Sequence, residues 1–312
     1  MAAFRTCLGV AAALAAAAIA GCATTEQAAS PDLAPRPLAE VLDAGPVAVM
    51  DGGRPVVALV LGGGGLRGFA HVGALQALEE AGIRPDIVVG TSAGAIVGAA
   101  YASGMSPAQI RAAALDVKVS SLLDFTWSAS GIIRGRNLAK WVGTVTGGAR
   151  IEAFPIRFAA VATDLQSGLP VLIDQGPSGS AIQASSAVPG VNVPIPYSNG
   201  HLIDGGITSL VPVRFARAMG ADVVIAIDIY CRSPRTQGLA VPSVIGRVMQ
   251  TQSCLVAAPE MAEADVLVAP AIGAPGMSDR NSHERVIQTG YEATVAALKD
   301  WRADGPRRIR SQ

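Results

Sequence analysis

Histidine is nearly missing from this sequence: His71, His201 and His283 are the only three in 312 residues. Any hydrolytic chemistry that takes a proton through imidazole has just those three to draw on. Charge is scarce as well, at 15% of residues, with 24 Lys and Arg balanced by 24 Asp and Glu. That balance implies no basic surface for nucleic-acid binding. The apolar stretch LGVAAALAAAAIA near the N-terminus is too short and too alanine-rich to be a good membrane span. Internal repeats are absent. What the chain has in quantity is apolar residues, 50% of the total, enough to bury a large core.

Residues 1–21 carry Arg5 and then the apolar stretch, the pattern of a secretory signal peptide. The stretch closes on IAGC, two small residues between an aliphatic one and Cys22, and this resembles the lipobox of bacterial lipoproteins. Cys22 is then expected to become the acylated first residue, and Ala23 after it fits delivery to the outer membrane, facing the periplasm. Cleavage removes one positive charge, leaving 23 basic against 24 acidic residues, a net charge of −1. Of the four cysteines, Cys231 and Cys254 alone remain as thiols, in a compartment where a disulfide persists if their Cα separation permits one.

Residues 22–54, with Pro31, Pro35, Pro37 and Pro46 among small and polar residues, read as a lipidated N-terminus and flexible tether. From there to about residue 300, short apolar runs (PVVALVL, DIVVG, IRFAAVATD, DVVIAIDI) alternate with longer helical patterns. Strands buried on both faces and separated by helices predict a mainly parallel sheet in one α/β domain over residues 55–300. Residues 301–312 read as a polar tail.

Three stretches carry chemistry. In VVALVLGGGGLRGFAHVGAL, residues 56–75, Gly62, Gly63, Gly64 and Gly65 follow a strand and open a helix, so bare N–H groups converge where the helix dipole also favours an anion. An oxyanion or a phosphate suits that place. Gly63, Gly65 and Gly68 also satisfy G-x-G-x-x-G, but a dinucleotide site needs an acidic residue ending the second strand, and here DIVVG runs into a serine. GTSAG, Gly90 to Gly94, fits G-x-S-x-G, the strand-to-helix elbow that exposes a nucleophilic Ser92. In HLIDGG, Asp204 ends an apolar strand before Gly205 and Gly206, where a carboxylate projects from a tight turn.

GGGGLRG at 62–68, GTSAG around Ser92, ASSAVPG at 184–190 and DGG at 204–206, in this order, resemble the patatin-like phospholipases, bacterial members above all. The likeness continues through FAAVATDL at 158–165 and GADVVIAIDI at 220–229. It implies a three-layer α/β/α hydrolase that works through a Ser-Asp dyad, Ser92 and Asp204, with its oxyanion hole on Gly62, Gly63, Gly64 and Gly65. Arg67 stands where that family has a basic residue, and Gly90, Gly94 and Gly205 support the turns. The resemblance implies no metal and no cofactor and a membrane lipid as substrate, to which the expected lipid anchor would bring the enzyme.

A free aspartate is a poor base for a hydroxyl, so a water-excluded cleft has to raise its pKa. Two other readings stay open at this level: an esterase with the order Ser92, Asp228, His283, and a catalytically silent lipoprotein that binds lipid in the same cleft. The stretch 118–148, with Phe125, Trp127, Ile132, Ile133 and Trp141, is a lid, an acyl-chain wall or an ordinary packed insertion.

Overall fold

The computed structural model describes residues 32–45 and 54–304, so the signal peptide, Cys22 and most of the polar tail lie outside the described residues. The chain runs β1 (Arg36–Pro37), α1 (Leu38–Asp43), β2 (Val57–Leu61), α2 (Phe69–Glu80), β3 (Ile87–Thr91), α3 (Ala93–Ala102) and α4 (Pro107–Asp116). It continues through β4 (Phe125–Ser128), β5 (Gly131–Ile133), α5 (Arg136–Val145), β6 (Arg157–Asp164), β7 (Pro170–Ile173) and α6 (Ser178–Ser185). The last part holds β8 (Ile195–Tyr197), β9 (Gly200–Asp204), α7 (Val213–Ala218), β10 (Val223–Ile227), α8 (Val241–Ala262), β11 (Val266–Val268) and α9 (Arg280–Asp304).

Strand order in the main sheet is β1-β7-β6-β3-β2-β10-β11, and β9 with β8 joins it at β6. The stretch from β6 through β3, β2 and β10 to β11 is parallel, as the apolar runs predict. Alternate residues show why: Leu59 and Leu61 feed one core, while Ala58 and Val60 feed the other, so both faces are covered. Helices α2, α3 and α9 cover the first face, and α1, α7 and α8 the second. The result is the expected three-layer α/β/α arrangement. Strands β1, β7, β8 and β9 are antiparallel to their neighbours, a feature that apolar runs alone do not reveal.

The predicted tether needs correcting over residues 32–45. Leu33 and Val41 are buried, β1 pairs antiparallel with β7, and Arg36 bonds the Asp174 carboxylate. Two apolar side chains and an ion pair hold this piece on the sheet edge despite its proline-rich composition. Helix α9 also carries regular structure four residues past the predicted domain end, to Asp304. Cys231 and Cys254 form a disulfide across a Cα separation of 5.4 Å, fastening the loop after β10 to α8.

Strand order reverses beside β2: β3 lies on one side and β10 on the other, which opens a crevice beyond their carboxyl ends. The glycine loop fills that place. Helix α2 leaves it and meets α9 backbone to backbone, since a Cβ on Gly73 would run into the Ile287 carbonyl and one on Gly290 into that of Ala70.

Candidate active site

Strand β3 ends at Thr91, and Ser92 takes φ 52° and ψ −119°, the one positive φ outside glycine among the described residues. A non-glycine residue there costs about 1–3 kcal/mol, so the surroundings must impose it. They do so in two ways. A side chain on Gly94 would collide with the Leu61 carbonyl, and a Cβ on Gly90 would sit 2.6 Å from the Ala95 backbone, so the turn closes only with both glycines. The Ser92 N–H donates to Ser185 Oγ at 2.9 Å, and that hydroxyl donates to the Val161 carbonyl at 2.6 Å. Ser185 thus bolts the elbow to β6. Ser185 lies within ASSAVPG, but its role is not legible there, because a hydroxyl bonded 93 positions away leaves no local pattern.

Asp204 arrives by a different strand in the same slot. Strand β3 pairs with β6 up to Thr91 opposite Val161, and from Ala162 onward β9 takes over that edge, with Asp204 opposite Ala162. The two strands therefore end facing each other, and the Ser92 hydroxyl is a hydrogen-bonding neighbour of the Asp204 carboxylate. Both residues are buried. Burial raises the Asp204 pKa to about 6, held back by the Ser92 hydroxyl and by the Gly206 N–H at 2.7 Å. A carboxylate with its pKa near neutrality is far better matched to moving a hydroxyl proton than a free one.

The glycine loop packs directly on the elbow, with the Cβ position of Gly63 lying 3.4 Å from Ser92 Cβ. Its four glycines are not equivalent. The Gly62 N–H donates to the Ile227 carbonyl at 2.9 Å and that of Gly63 to the Leu210 carbonyl at 3.0 Å. These two hold the loop in place and have no N–H left for a ligand, which narrows the expected donor set. Among the described residues the N–H groups of Gly64, Gly65 and Ala93, the first residue of α3, meet no acceptor.

Each histidine has other duties. His71 Nε2 donates to the Gly62 carbonyl at 2.8 Å, and full burial lowers its pKa to about 4, so it stays neutral and braces the glycine loop. His201 accepts no role beyond the strand edge, where its N–H donates to Gln166 Oε1 at 2.8 Å. His283 stacks on Phe69 with ring centroids 4.0 Å apart, and its Nε2 bonds the Gly276 carbonyl at 2.8 Å. Asp228 accepts the backbone N–H groups of Tyr230 and Cys231 at 2.9 and 3.0 Å. Ser92, Asp228 and His283 therefore do not assemble into a hydrogen-bonded triad. Arg67 donates through Nε to the Ile272 carbonyl at 2.9 Å and lies over the Tyr230 ring, which ties the glycine loop to the chain beyond β10 and β11.

An apolar cavity of about 360 Å³ begins at Ser92 and Gly65 and runs along α3 past Ile96, Val97 and Ala100. From Ala93 to Ala100 it follows the helix for seven rises, on the order of 10 Å. The stretch 118–148 divides here. Ile133, Leu138 and Trp141 line the cavity, whereas Phe125, Trp127 and Ile132 face outward. The Ser186 hydroxyl, on the cavity wall, has no hydrogen-bond partner among the described residues.

Comparison with known proteins agrees with the fold. A family model described as patatin-like phospholipase matches residues 59–217. An uncharacterized NTE family protein of Mycobacterium tuberculosis is 40% identical over 177 residues, which cover 56% of this chain and 49% of that protein. Rat patatin-like phospholipase domain-containing protein 7 is 37% identical over 184 residues, 56% of this chain and 14% of its own length. A lysophospholipase of Saccharomyces cerevisiae is 33% identical over 186 residues, 58% of this chain and 11% of its own. The chain thus spans about half the length of its mycobacterial relatives and a small part of the others. Among solved structures, VipD from Legionella pneumophila aligns over 90% of this chain and 72% of its own, with a TM-score of 0.55 and 15% identity, a likeness of fold alone.

Proposed function

The chain belongs to the patatin-like phospholipase family, and on that premise we propose that it is a serine acyl hydrolase that releases fatty acids from glycerophospholipids or lysophospholipids. The observation that carries this reading is a serine on a strained turn facing a buried aspartate of raised pKa, at the head of a cavity shaped and lined for an acyl chain. The relatives named lysophospholipases support a lipid ester as substrate.

In the first half-reaction Asp204 takes the proton of Ser92 as Oγ attacks the ester carbonyl carbon. The tetrahedral oxyanion receives N–H groups from Gly64 and Gly65, with the N-terminus of α3 adding its dipole. Collapse breaks the ester bond, and the departing alkoxide takes the proton from Asp204. Water then attacks the acyl-enzyme, Asp204 again holds the proton, and fatty acid leaves as Ser92 recovers it. Each methylene seated in the cavity contributes roughly 0.8 kcal/mol of binding. Incubating the protein with a panel of lipids and measuring products by mass spectrometry tests the reading. Free fatty acid is expected, and none from Ser92→Ala; release that persists in that variant would contradict it.

The same reading sets the protein at the outer membrane, periplasm-facing and anchored by acyl chains on Cys22. The IAGC motif and the Cys231–Cys254 disulfide support an exported chain. Intact mass of membrane-extracted protein should show a chain starting at an acylated Cys22; an unmodified N-terminus removes the anchor and leaves the enzyme.

A further inference from the structure

We propose that the β4–β5 hairpin is a docking wedge that seats the mouth of the apolar cavity against an anionic lipid bilayer. The proposal rests on the hydrolase reading for its purpose, while the docking itself is argued from this surface. Phe125 and Trp127, two residues apart on β4, are both exposed, and Trp127 fully so. Ile132, on β5, is exposed as well, and the neighbouring Val191 and Met277 are exposed while also lining the cavity. The Ile132 N–H donates to the Val191 carbonyl at 2.9 Å, so these two exposed residues adjoin. Phe125 pairs directly with Ile133, a buried residue of the cavity wall, which sets the exposed hairpin beside the cavity. A cluster of this size facing water calls for a partner.

Charge says which partner. From Phe125 to Ile133 there is no charged residue at all. Flanking that tip are Lys118, Arg134, Arg136 and Lys140, against the single carboxylate of Asp124 within residues 118–148. That carboxylate already accepts the N–H groups of Gly135 and Arg136 at 2.7 and 3.0 Å. An uncharged aromatic tip flanked along the chain by basic residues suits a lipid surface, where Trp sits at the headgroup level and Lys and Arg meet phosphates. A second copy of the chain would bring two such basic stretches together.

Full-length Ser92→Ala protein, unable to consume lipid, is mixed with phosphatidylethanolamine and phosphatidylglycerol vesicles brominated on their acyl chains. The expected result is a blue-shifted, quenched component of tryptophan emission that vanishes in Ser92→Ala/Trp127→Phe. In the Ser92 background, Phe125→Ser/Trp127→Ser should hydrolyse a soluble short-chain ester within about twofold of the parent and lose roughly tenfold or more on vesicles. Trp127 emission indifferent to vesicles, emission that shifts with protein concentration alone, or an unchanged vesicle rate in the double variant would each overturn the wedge. A parent chain inert toward the soluble ester would instead overturn the hydrolase reading, and the quenching measurement would still decide the docking.

Discussion

Asp204→Asn should yield a folded protein that hydrolyses a soluble ester about 10² to 10⁴ times more slowly than the parent, the usual cost of losing a general base. His283→Ala and His201→Ala should each keep at least about a tenth of the rate, because neither imidazole bonds a group of the site. The pH dependence follows from the same carboxylate. With its pKa raised to about 6 by burial, Asp204 is protonated below that pH and unable to take the Ser92 proton, so kcat/KM should rise through about pH 6 and then level. Stability moves the opposite way. Between the ordinary carboxylate pKa and about 6, the unfolded chain gives up its proton while the folded one keeps it, so stability falls with rising pH across that window and stays lower above it. Asp204→Asn should therefore be more stable than the parent at pH 8, by up to about 3 kcal/mol, while hydrolysing far more slowly. An Asp204→Asn enzyme with near-parental turnover, or a folded His283→Ala as inert as Ser92→Ala, would sink the assignment of the base.

Gly64→Ala should lower kcat by up to about 10² to 10³, the effect of losing one oxyanion donor, with KM changed far less. The cause is steric. A Cβ at Gly64 would lie 2.8 Å from two side-chain atoms of Ile229, and the loop has to shift its N–H groups to make room. Since the Gly62 and Gly63 N–H groups are held by Ile227 and Leu210, Gly64 and Gly65 are the loop positions through which such a shift reaches the substrate. Initial-rate kinetics on a soluble ester separate the two outcomes. Full kcat with weakened lipid binding would mean that the loop holds a phosphate rather than an oxyanion.

The unit from β2 to α3 was legible because its strands are continuous apolar runs and glycines punctuate their ends. What was hidden depends on partners distant in sequence. Nothing in HLIDGG says that β9 enters antiparallel to β6 and fills the slot that β3 vacates. Which glycine keeps a free N–H is settled by carbonyls of Leu210 and Ile227, and Ser185 acts on a residue in another βα unit. The packing of residues 32–45 was masked by their proline content, which outweighed Leu33 and Val41 in a local reading. Of the aromatic-rich insertion, sequence gave the apolar character but not its division between cavity wall and exposed tip, since that requires the hairpin pairing.

The most direct test of the account is labelling with a fluorophosphonate, followed by mapping of the modified peptide and measurement of the labelling rate against pH. An activated serine alone reacts, so the account predicts one adduct, on Ser92, formed at a rate that rises through about pH 6 and collapses in Asp204→Asn. No adduct on the folded parent, an adduct on another residue, or a Ser92 adduct that forms equally fast in Asp204→Asn would contradict it.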